Sequence, residues 1–160
     1  MDNSADIGPT GVGGWLRLVE LGLIASPPLA LYSLYANYWP VFRDGAWGVL
    51  TSPGTEAYHP LWAPLIIFEI IGTLGLASLS AIALLHFMRR SRRTPNLCIA
   101  LLICGALLPL GGYAAASFIP AVAADGQTGA LLAVFQAFVP AMIWIPYFLL
   151  SKRVRNTFVR

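Results

Sequence analysis

The apolar positions of this chain neither alternate with polar ones nor mark a single stripe of a helix. They run on in four blocks: from about Gly14 to Asn37, Pro60 to Phe87, Pro95 to Ile119, and Thr128 to Leu150. Each block is long enough to cross ~30 Å of hydrocarbon at ~1.5 Å per helical residue. Lipid offers no water to pair backbone N–H and C=O groups, so runs this long and this apolar close their hydrogen bonds as helices. A membrane barrel needs apolar and polar residues in strict alternation, which is absent. The pattern predicts an all-α integral membrane protein, a four-transmembrane-helix bundle forming one domain over residues 1–160. The blocks leave an outer loop at 38–59, a short loop at 88–94 and a tail at 151–160.

Local signals agree with these boundaries. Thr94-Pro95 reads as an N-cap followed by proline at the first helical position, and His59-Pro60 precedes the second block in the same way. Asp125-Gly126 reads as a turn. Pro27, Pro28, Pro64, Pro109, Pro140 and Pro146 fall inside the blocks; each removes a backbone donor, so a bundle kinked by prolines is expected. Gly22 with Ser26, Gly111 with Ala115 and Gly112 with Ala116 offer small faces for close helix packing. The 38–59 loop is rich in aromatics (Tyr38, Trp39, Phe42, Trp47, Tyr58), which favour the membrane interface. Its stretch from Pro40 to Leu50 reads either as a short helix lying on the outer face or as an ordinary loop.

Composition strengthens the membrane reading. Hydrophobic residues make up 58% of the chain and charged residues 11%, against about 25% charged in soluble domains. That is too little charge to cover a water-facing surface. The charge is also unevenly placed. Arg89, Arg90, Arg92 and Arg93 lie in the 88–94 loop, and Lys152, Arg153, Arg155 and Arg160 follow the fourth block, together eight of the ten Lys and Arg. The positive-inside rule places both segments in the cytoplasm, and four crossings then put the N-terminus there too. The first dozen residues hold two aspartates and no basic residue, so a secretory leader is not expected. Cys98 and Cys104 fall in one apolar run at a spacing that points them to different faces, and they read as small hydrophobes.

Few residues carry candidate chemistry. Arg17 and Glu20 share a face of the first helix near its basic end and read as an interfacial ion pair. Glu69 stands among Ile66, Ile67, Phe68, Ile70 and Ile71, ~13 Å along the helix from Pro60. A charge at mid-membrane costs roughly 2.5–3.5 kcal/mol, so Glu69 is expected either protonated or facing a partner. Tyr113, Ser117 and Gln136 are the candidate partners at its depth, giving either a polar knot that fixes packing or a proton or solute site. No catalytic, cofactor or metal set is evident: GxSxG, HExxH and P-loop patterns are absent, and His59 and His86 lie at opposite faces. Arg89, Arg90, Arg92, Arg93, Lys152, Arg153 and Arg155 beside a membrane suit anionic lipid headgroups rather than nucleic acid.

Three segments together suggest kinship. They are Gly13-Gly14-Trp15-Leu16, then Tyr58-His59-Pro60-Leu61-Trp62 running to Phe68-Glu69, and Trp144-Ile145-Pro146-Tyr147-Phe148 followed by Ser151, Arg153-Val154 and Thr157-Phe158. The set resembles the YdgK-like family of small bacterial inner-membrane proteins, a domain of unknown function. The resemblance spans nearly the whole chain, and its last segment is the most specific. It implies a four-helix inner-membrane protein and brings no activity or catalytic residue with it.

Three readings follow. The leading one is a non-enzymatic accessory, scaffold or assembly subunit of a membrane complex, with membrane lipids and other membrane proteins, or further copies of itself, as partners. The second is a small transporter or channel subunit using Glu20 and Glu69 as a proton or solute relay. The third is a membrane-embedded enzyme or lipid-headgroup binder, which needs polar groups converging at one depth.

Overall fold

The computed structural model of the protein describes residues 11 and 13–159. Among them every regular element is a helix, in the order α1 (Trp15–Arg43), α2 (Ala46–Thr51), α3 (Trp62–Met88), α4 (Thr94–Ala116), α5 (Pro120–Ala124), α6 (Thr128–Leu150) and α7 (Lys152–Thr157). Four of these, α1, α3, α4 and α6, are long and apolar enough to cross a membrane. Their outward side chains are bare apolar groups such as Leu21, Ile71, Leu107 and Met142. Such a surface suits lipid and not water.

Several helix boundaries differ from expectation; α3, for one, begins at Trp62 with Leu61 before it, so His59-Pro60 lies outside the helix. The first helix ends at Arg43 rather than near Asn37, so Tyr38, Trp39 and Phe42 belong to α1 and not to the outer loop. Pro40 does not stop it, because proline removes one donor while the surrounding turn keeps its own bonds; the Asp44 N–H closes back on the Pro40 carbonyl at 2.9 Å. The short helix read at Pro40–Leu50 exists but begins later, at Ala46, after a turn at Gly45 with φ +78°. The third block ends its helix at Ala116, and the chain turns before α5. Thr94 does not act as an N-cap either. It is the first helical residue of α4, its hydroxyl buried without a partner among the described residues, while Ser91 accepts from the Arg93 N–H at 3.3 Å. Gly126 and Gln127 take left-handed φ values of +80° and +41° in the turn before α6.

Packing runs in series. α1 packs on α3, α3 on α4, and α4 on α6; α1 and α6 scarcely meet along their length. Two contacts show the antiparallel register of the first pair. Tyr38 meets Glu69, and twelve residues down α1 Ser26 meets Ser80, eleven residues up α3. The buried hydrophobic cluster lies toward one end of the bundle, where Leu16, Ala83, Phe87, Cys98, Phe148, Val154 and Phe158 come together. That end also carries the 89–93 loop and α7 with their arginines and Lys152, and is the basic end of the bundle.

Candidate functional site

The α1–α3 seam holds two polar contacts in an apolar wall. The first begins with proline chemistry. Pro27 has no N–H, so the Leu23 carbonyl one turn below loses its helical donor. In hydrocarbon an unpaired carbonyl is costly, and donors from side chains are the remedy. Ser80 of α3 donates to it across the interface at 3.3 Å, and Ser26 donates from its own turn at 3.4 Å. The two hydroxyls also contact each other, and Ser80 is 1% exposed. Sequence reading missed this pair, although the signal was there: Pro27 orphans a carbonyl, and a serine stands at the matching height of an antiparallel neighbour.

The second contact contains Glu69. Its carboxylate accepts a hydrogen bond from the Tyr38 hydroxyl of α1. On its other side it lies against the backbone of Gly112, where a Cβ would fall 2.5 Å from Oε1. Only glycine at 112 leaves room for the carboxylate between α3 and α4 without displacing it. The expected partners are placed elsewhere. Tyr113 is half-buried with no side-chain hydrogen bond among the described residues, the Ser117 hydroxyl donates to the Ala114 carbonyl of its own helix at 2.7 Å, and Gln136 is exposed on α6, which packs chiefly on α4. Sequence polarity places Tyr38 in the outer loop, which hides it as a partner for Glu69.

Arg17 and Glu20 make no ion pair; Arg17 is exposed and Glu20 half-buried. Arg43 with Asp44, at 2.7 Å on the surface, is the one salt bridge among the described residues. No hydrogen bond links Glu20, the Ser26–Ser80 pair and Glu69 to one another. Along α1 they are separated by ~9 Å and ~18 Å, too far for direct contact. No group of three His, Cys, Asp or Glu among the described residues lies close enough to hold a metal.

The basic end is the most highly built part. α3 closes with Arg90 in the left-handed position, φ +53°, and the Ser91 N–H returning to the His86 carbonyl at 3.0 Å. This is a Schellman-type end in which glycine is the usual occupant. Ser151 ends α6 with an extended backbone and caps α7, accepting from the Val154 N–H at 3.4 Å. α7 then folds under the bundle. Val154 and Phe158 are buried, with Phe158 edge-on to Phe87 at 5.3 Å. Thr157 accepts from the Gly11 N–H at 3.1 Å, and Arg92 donates to the Val159 carbonyl at 2.8 Å. The Arg153 guanidinium lies against the backbone of Gly13, where a Cβ would come within 2.7 Å. Trp15 meets Trp144 edge-on at 6.1 Å. Residues 11 and 13–16, the 89–93 loop and α7 with Phe158 and Val159 after it therefore form one cap. Arg89, Arg90, Arg93, Lys152 and Arg155 remain exposed on it, while Arg92 and Arg153 are drawn into its contacts.

Residues 9–159 match the family described as "Protein of unknown function (DUF2569)", and the chain belongs to that family. No curated protein and no solved structure gives a significant match. The first and last of the three segments noted in the sequence are the ones that build the cap. Gly13 receives Arg153, Trp15 meets Trp144, Leu16 is fully buried, and Ser151, Val154, Thr157 and Phe158 form and seat α7. The middle segment supplies Phe68 and Glu69, which press on Gly111 and Gly112 of α4.

Proposed function

We propose that this protein is a non-enzymatic accessory or assembly subunit of a larger complex in the bacterial inner membrane, with both ends in the cytoplasm. The cap at the basic end is the observation that carries the proposal. Segments that resemble the YdgK-like proteins are used there to bring residues 11 and 13–16, the 89–93 loop and α7 together as one cationic platform. Arg90 supports the same reading. A left-handed φ is strained for a long side chain such as arginine, and strain of this kind, where it persists, points to a role for the side chain. A platform of exposed arginines and Lys152 beside a membrane suits acidic lipid and the acidic surface of a neighbouring subunit. The basic residues on it argue for a cytoplasmic face by the positive-inside rule. The relay reading lacks comparable support, since Glu20 and Glu69 are joined by no chain of hydrogen bonds.

The test is affinity purification from native membranes in mild detergent. The wild-type chain is expected to bring down a stoichiometric membrane partner. A variant with Arg89, Arg90 and Arg93 changed to Gln is expected to lose it. Recovery of this chain alone, from membranes solubilised gently enough to keep known complexes intact, contradicts the proposal.

A further inference from the structure

The series packing of the bundle leaves its fourth side open. Between α1 and α6, with α4 as the floor, lies a cavity of about 350 Å³ lined by Leu18, Gly22, Leu23, Leu102, Trp144 and Phe148 among others. A second, of about 270 Å³, adjoins it and shares Ser26, Leu101, Leu102 and Pro140 in its walls. Together they run along α1 from Leu18 to Ala30, ~18 Å at 1.5 Å per residue. One leaflet of a bilayer has ~15 Å of hydrocarbon depth, half of the usual ~30 Å. The cleft thus starts at the basic end and stops near the middle of the membrane.

Its basic end has the chemistry of a headgroup site. Trp15 and Trp144 close the seam there edge-on, and Trp144 also forms part of the cleft wall. Tryptophan settles at headgroup level. Arg153 lies beside Gly13 and Gly14, next to this pair, and makes no hydrogen bond or ion pair among the described residues. Lys152 is exposed beside it, four residues beyond the cleft-lining Phe148.

Two glycines add an independent observation. Gly22 and Gly105 stand in the cleft walls, and a Cβ at either would meet nothing within 4 Å. Glycine inside a helix sacrifices backbone entropy. At Gly112 the close approach of Glu69 explains it; at Gly22 and Gly105 nothing in the chain packs close. Their effect is to keep the cleft wide.

We propose that the α1–α6 cleft holds one acyl chain of an anionic phospholipid from the leaflet at the basic end, with its phosphate between Lys152 and Arg153. A transmembrane helix of a partner fits less well. It needs a groove for ~20 residues, and the Trp15–Trp144 contact blocks the seam at one end. A single chain enters from the side, fills an apolar slot one leaflet deep, and leaves its charge at the cations.

The full-length protein, purified in mild detergent, is exposed to phosphatidylglycerol or phosphatidylcholine of equal chain length, and retained lipid is counted by native mass spectrometry. One phosphatidylglycerol per chain is expected, with a preference of about tenfold over phosphatidylcholine, the scale of one or two cation contacts at a membrane surface. Gly22→Phe and Gly105→Phe, tested separately, are expected to lose the retained lipid with helicity and melting unchanged. Should one of them misfold, the other still decides. Lys152→Gln and Arg153→Gln are expected to keep a lipid and lose the preference. Equal retention of the two lipids by the wild type, or undiminished phosphatidylglycerol on a folded phenylalanine variant, overturns the proposal. So does photo-crosslinking from position 22 to a protein helix in place of lipid.

Discussion

Glu69 shows how a single residue is handled in this fold. A carboxylate in an isoleucine-rich wall was conspicuous in the sequence, and its need for a partner followed from the cost of burying it. Which partner it takes was not legible. The answer depended on where α1 ends, and hydropathy falls at Asn37-Tyr38 even though the helix continues to Arg43. Aromatic and amide side chains can sit at the interface while the backbone stays helical, so polarity alone misplaces such an end. The structure makes Tyr38 the donor and Gly112 the space. Tyr38→Phe removes the hydroxyl and keeps the ring. The expected loss is about 0.6–1.7 kcal/mol, the range of interhelical hydrogen bonds in membranes. It is read as a lower unfolding transition in detergent, and Tyr113→Phe serves as a control expected to leave that transition in place. A Tyr38→Phe protein as stable as wild type would mean that the carboxyl finds another partner.

At the scale of the helix, the prolines matter more for what they release than for where they stand. The sequence alone predicts kinks from them. The structure draws attention to the Leu23 carbonyl freed by Pro27 and answered by Ser80 of α3 and Ser26 of α1. A defect in one helix thereby becomes a bond between two. This coupling was in principle readable, because both residues were visible. It required the register of α1 against α3, which one sequence does not give. The short helix α7 was missed for a related reason. Six residues with three cations read as a tail, yet Val154, Thr157 and Phe158 recur at helical spacing behind a serine cap, and all three are buried. The Pro27–Ser80 link predicts a non-additive double-mutant cycle. Ser80→Ala alone leaves the carbonyl short of a donor and is expected to cost about 1 kcal/mol. In the background of Pro27→Ala, where position 27 supplies its own N–H, the same change is expected to cost far less. Additive losses, measured by thermal or denaturant unfolding in micelles, would falsify the link.

For the whole molecule, the sequence revealed four spans and their number survives intact, with boundaries shifted by a few residues at most ends. Its apolar blocks are strong signals because lipid leaves the backbone no alternative to helix. The order of packing and the cap were not visible, since both arise from contacts between segments far apart in the chain. Gly11 meets Thr157, and Arg92 meets Val159. Those contacts place the N-terminal segment, the 89–93 loop and the C-terminal helix at one end of the bundle. They leave one physical question for the account as a whole, which is the side of the membrane that this end faces. Paired reporter fusions answer it directly. Green fluorescent protein joined after Arg160 is expected to fluoresce and alkaline phosphatase joined there to be inactive, whereas phosphatase inserted at Gly54 is expected to be active. An active phosphatase after Arg160 with a silent one at Gly54 would invert the protein, and with it the cytoplasmic platform on which the proposed function rests.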